Sequence, residues 1–93
     1  MSNDSMRSAM IAQEIAQIRS KLSAAQKEFD NLDILVSGGI IKIRQLIDPY
    51  QTDVTKLDVD EAFSEIERLR ENVHRMRDLL DEINNLKAAL GEK

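Results

Sequence analysis

The chain has no cysteine and no tryptophan, a single proline, three glycines and only three aromatic residues, Phe29, Tyr50 and Phe63. Without cysteine there is no disulfide framework and no thiolate metal site. Three aromatics offer few platforms for stacking bases or planar cofactors. A basic start followed by an apolar core, the mark of a secretory signal, is missing from MSNDSMRSAM, and a cytoplasmic setting is the expectation. Long hydrophobic runs are lacking too. The most apolar stretch, Ile34 to Ile47, contains Ser37, Lys42, Arg44 and Gln45, and is too short and too charged to span a membrane. Positive charge is in the minority, 13 Lys and Arg against 17 Asp and Glu, for a net charge of −4. That balance opposes general nucleic-acid binding, which rests on phosphate contacts.

What the chain does have is a pair of apolar stripes. Ile11, Ile15, Ile18, Leu22, Ala25, Phe29, Leu32 and Val36 recur at alternating spacings of three and four, and so do Val59, Ala62, Ile66, Leu69, Val73, Met76, Leu80, Ile83 and Leu90, broken only by Lys87. A mean spacing of 3.5 residues keeps each stripe on one side of a helix and requires a second helix to cover it. The fold class read from this pattern is all-α: one domain over residues 1–93, a long antiparallel, coiled-coil-like helical hairpin. Its elements are a helix over about 4–47, a loop over 48–57 and a helix over 58–90.

Local signals set the boundaries. Asp4 and Ser5 are candidate N-caps for the first helix. Pro49 disfavours helical geometry at Asp48 and ends that helix. Asp58, with Glu61 three residues on, is a capping-box-like start for the second helix, and Gly91 is the usual residue just past a helix end. Ser37-Gly38-Gly39 invites a break or kink, because two glycines cost a helix about 2 kcal/mol relative to two alanines. The heptad count nevertheless runs through them: with Val36 at position a, Gly39 is d, Ile43 is a and Leu46 is d. A continuous or kinked helix is therefore expected, with the glycines admitting a neighbouring backbone.

Folding the helices antiparallel, with Leu32 against Val73, Phe29 against Met76 and Ala25 against Leu80, sets small Gly39 opposite Ile66 and Ile43 opposite Ala62. The same register brings Asp33 near Arg70, Lys42 near Glu65 and Ile40 beside Phe63, whereas a one-heptad slide sets Arg19 near Arg77, which repel.

A hairpin cannot cover every apolar residue. Ile34, Leu35, Ile40, Ile41 and Ile47 make the middle of the chain apolar nearly all round, and Leu79 and Leu86 form a further stripe on the second helix. Each such side chain left in water forgoes roughly 1.5–3 kcal/mol. These seven residues are the expected oligomer interface, most simply of a homodimer forming a four-helix bundle.

Chemistry-bearing patterns are sparse. Glu71 and His74 have the Glu-x-x-His spacing of di-iron bundles, but with Val73 at a they fall at f and b, away from the seam. No nucleophile–base pair stands out, so no enzyme, no catalytic residue, no metal and no cofactor is expected. Arg68, Arg70, Arg75 and Arg77, with Tyr50 in the loop, are candidates for contacting a partner. The leading expectation is a non-catalytic protein–protein interaction module, an adaptor, assembly subunit or chaperone-like protein, that binds itself and a second protein. The alternatives are a dimeric regulator touching nucleic acid through the Arg-rich face and a metal-binding bundle.

Overall fold

In the computed structural model, which describes residues 2–91 and the side chains of 6–91, the chain is all-helical. Helix α1 spans Ser2–Leu46, a 3₁₀ turn spans Val54–Lys56 and helix α2 spans Val59–Ala89. The two long helices pack against each other, and no strand occurs among the described residues. No described helix is long and apolar enough to cross a membrane.

Helix α1 starts two residues before Asp4. Asp4 and Ser5 thus lie inside the helix rather than at its cap, and their side chains fall outside the described residues. The helix passes through Ser37-Gly38-Gly39 uninterrupted, and both glycines keep negative φ. Its last α-type hydrogen bond runs from Ile47 N to Ile43 O (2.9 Å), just before Pro49.

The connection is held by its own polar side chains. Asp48 Oδ1 accepts from the Tyr50 amide (2.9 Å), and the Gln51 amide donates to Asp48 O (3.2 Å). Asp53 caps the 3₁₀ turn: its Oδ1 accepts from the Thr55 amide (3.1 Å) and from Thr55 Oγ1 (2.6 Å). Such short-range bonds are what Asp supplies at turns and N-caps. Asp58 then caps α2, its Oδ1 accepting from the Glu61 amide (3.0 Å). The other half of the expected box is not used, because the Glu61 carboxylate reaches Lys42 instead. At the far end Gly91 has φ +75, a left-handed value that favours glycine, and its amide donates to Ala88 O (3.0 Å).

The chain divides into two compact units. One combines residues 1–29 with 78–93, the other is residues 30–77. In the first unit the core is Leu22 and Ala25 from α1 with Leu79 and Ile83 from α2, all buried. In the second, Ala62 alone is buried; Leu32, Val36, Gly39, Ile43 and Leu46 of α1 and Leu69, Val73 and Met76 of α2 are half-buried. The α1 stripe therefore continues through the glycines to Leu46. In this unit Lys42 Nζ lies 3.1 Å from Glu65 Oε1 and 3.2 Å from Glu61 Oε1, the Lys42–Glu65 proximity that the antiparallel register requires.

The face that α2 turns inward corrects the sequence reading. Leu80 is 45% exposed while Leu79 is 1% exposed, and Val59 and Ile66 are also exposed. The buried and half-buried positions are Ala62, Glu65, Leu69, Asn72, Val73, Met76, Leu79, Ile83, Leu86, Lys87 and Leu90. Two stripes overlap on this helix, both using Ala62, Leu69, Met76, Ile83 and Leu90 but differing by one residue, about 100° of rotation, at the companion positions. One choice turns in Ile66, Val73, Leu80 and Lys87; the other turns in Glu65, Asn72, Leu79 and Leu86. The structure takes Glu65 over Ile66 and Leu79 over Leu80, while Asn72 and Val73, and Leu86 and Lys87, are half-buried alike.

Candidate interaction surface

Position f of a heptad lies opposite the a/d seam, where α2 cannot reach. On α1 within the second unit the f residues are Ile34 and Ile41, which are 71% and 57% exposed. Leu35 at g and Ile40 and Ile47 at e are exposed as well. Ser37 and Gly38, at b and c, lie between the two f isoleucines and are open to solvent. The result is a local apolar face with a low saddle of small residues at its centre.

The glycines themselves are not demanded by packing within the chain. A Cβ built on Gly38 or on Gly39 meets nothing within 4 Å. No neighbour within the chain fills these positions, and the missing side chains leave open space. Beside them runs a groove of about 350 Å³, lined on α1 by Leu35, Val36, Gly38 and Gly39, with Ile34 at its outer edge, and on α2 by Leu69 and Asn72. Lys42, Glu65 and Arg68 form its charged margin. Glu65 Oε1 accepts from Lys42 Nζ (3.1 Å) and from Arg68 Nη1 (3.2 Å), so one carboxylate ties the two cations together. Its side chain is only 11% exposed, and the two charge-assisted bonds compensate for that partial burial. Glu65, then Glu61, raises the Lys42 pKa above its ordinary value by hydrogen bonding and charge attraction.

The residues singled out from the sequence fall in several places. Ile34, Leu35, Ile40, Ile41 and Ile47 are exposed. Leu79 and Leu86, expected beside them at an oligomer interface, are turned inward: Leu79 is filled by its own chain and Leu86 is half-buried. Arg68, Arg70, Arg75 and Arg77 are exposed on α2, and Arg68 is paired with Glu65. Tyr50, in the loop, is exposed, as are Glu71 and His74. Sequence reasoning missed the groove lined by Gly38, Gly39 and Asn72; the signal for it was a pair of glycines falling in phase with the heptad rather than breaking it. It also missed the outward apolar line Val59, Phe63 and Ile66 on α2, exposed because the competing stripe won.

Compared with known proteins, the chain matches no family model, no curated protein and no solved structure.

Proposed function

We propose that this protein is a non-catalytic helical interaction module that works by self-association and then offers a charged outer surface to a second protein. The observation that carries this reading is the placement of Ile34 and Ile41 at positions diametrically opposite the intrachain seam, both well exposed. A single hairpin has no means of covering them, and a helix apolar on opposite sides is suited to being surrounded. A four-helix bundle of two hairpins is the simplest assembly that does so. The exposed Arg68, Arg70, Arg75 and Arg77, and the self-bonded loop carrying Tyr50, are the surfaces left for a protein partner. Locating this module in the cytoplasm is part of the same proposal.

Sedimentation of the wild type beside an Ile34→Ser, Ile41→Ser double variant tests the reading. The wild type should show a concentration-dependent mass above that of one chain, and the double variant should sediment as one chain with unchanged helical content. A wild type that stays a single chain at every concentration contradicts it.

A further inference from the structure

Resting on the self-association reading, we infer that the occupant of the Ile34–Gly38–Ile41 face is the same face of a second copy, laid antiparallel across a two-fold axis close to Ser37 and Gly38. Three features carry the inference independently of one another.

The first is symmetry of apolar placement. Ile34 and Ile41 stand on either side of the Ser37-Gly38 pair, so an antiparallel copy sets Ile34 of one chain against Ile41 of the other, twice. An isologous contact needs this kind of self-matching pattern, in which i meets j and j meets i.

Charge order is the second. Asp30 and Arg44 share heptad position b with Ser37 and lie seven residues to either side of it, both exposed. At about 1.5 Å per residue each is about 10 Å from Ser37. Antiparallel overlay brings Asp30 to Arg44 at both ends of the contact. Parallel overlay would set Asp30 on Asp30 and Arg44 on Arg44. Rim charges of this type select orientation more than they add affinity.

The third is Gly38 itself. It costs helix stability, its Cβ position is open, and no neighbour within the chain explains it. At the crossing point of two helices a glycine lets the backbones approach closely and lets the flanking isoleucines interdigitate. The second copy supplies the neighbour that the single chain lacks.

The test uses the absence of native cysteine, so that each introduced thiol is alone in the chain. Ser37→Cys, near the proposed axis, should oxidise to a covalent dimer within minutes under mild oxidant. Asn31→Cys should remain monomeric on gels, because antiparallel packing separates the two thiols by about 20 Å. Asp30→Arg and Arg44→Asp should each weaken the dimer at least tenfold in Kd. An equimolar mixture of those two variants should restore wild-type affinity as a heterodimer, since both of its contacts pair opposite charges. Gly38→Leu should abolish the dimer while leaving the circular dichroism of the hairpin intact.

A wild-type oligomer that cross-links through Asn31→Cys as readily as through Ser37→Cys would overturn the antiparallel arrangement. A wild-type oligomer untouched by Gly38→Leu would move the interface to another face. Either result leaves the self-association reading standing, whereas a wild type that never exceeds one chain in mass removes both.

Discussion

The two compact units carry the same heptad pattern but bury different amounts of it. In the unit built from residues 1–29 and 78–93, four apolar side chains are buried, Leu22, Ala25, Leu79 and Ile83, while Met6, Met10, Ile11, Ile15 and Leu80 are exposed. In the unit of residues 30–77, only Ala62 is buried, while Ile34, Leu35, Ile40, Ile41, Ile47, Val59, Phe63 and Ile66 are exposed. Sequence accounts for the difference. The first unit has Leu or Ile at the inward positions Leu79, Ile83, Leu86 and Leu90 of α2. In the second, Glu65 and Asn72 sit at inward positions, two glycines replace side chains on α1, and isoleucines occupy f. Both units leave apolar side chains outside, but the first closes a core of four residues and the second buries one.

Truncating the buried side of this comparison should have the largest effect. Leu79→Ala should destabilise the chain by about 2–5 kcal/mol, the usual cost of a fully buried leucine, while Leu80→Ala one residue away should cost less than about 1 kcal/mol. Denaturant melts of both variants check the rotation of α2. Equal losses would mean that the sequence-predicted face, with Leu80 inward, is also used.

Next in size is the cap of α2. Asp58→Ala removes the acceptor of the Glu61 amide and should cost about 1 kcal/mol, with Asp58→Ser losing a few tenths at most. Because Glu61 and Glu65 of that helix hold Lys42, the loss should be felt in the second unit. Hydrogen exchange of the amides in the first turns of α2 would register it.

A change of opposite sign separates folding from assembly at the glycines. Gly38→Ala should raise the stability of the isolated hairpin by up to about 1 kcal/mol, since a methyl group meets nothing there and alanine favours helix. The same substitution should weaken the dimer measured by dilution. A variant that is more stable and less associated would show that the glycine serves the contact rather than the fold.

The smallest effect belongs to the Lys42 cluster. Its pKa is raised in the folded chain, so the stability it contributes is present below its unfolded value, near 10.5, and fades as pH rises through the higher folded value. Lys42→Met should therefore lower Tm only slightly at pH 7 and remove part of the decline seen above pH 10.5. Thermal melts from pH 8 to 12 on both proteins check this. Exposed ion pairs of this kind contribute little.

Much of this architecture is legible from residues alone. Pro49, Asp58 and Gly91 mark where helices stop and start, and the Lys42–Glu65 ion pair agrees with a register chosen on charge and size. The rotation of α2 was not legible, because Leu79 and Leu80 are adjacent and equally apolar. Nor was the start of α1 at Ser2, since Asp and Ser are tolerated within a first turn as well as at a cap. The candidate surface was half legible. Its isoleucines were evident as surplus, but the open space at the glycines needed the packing of both helices to be seen.

The central claim is that the exposed apolar face of residues 30–48 exists to meet a second copy of the chain. Light scattering of the wild type across a dilution series tests it most directly. The account predicts a mass of twice the chain's 10.6 kDa that falls toward one chain on dilution. A well-folded helical protein that holds at 10.6 kDa from dilute to concentrated solution would contradict it.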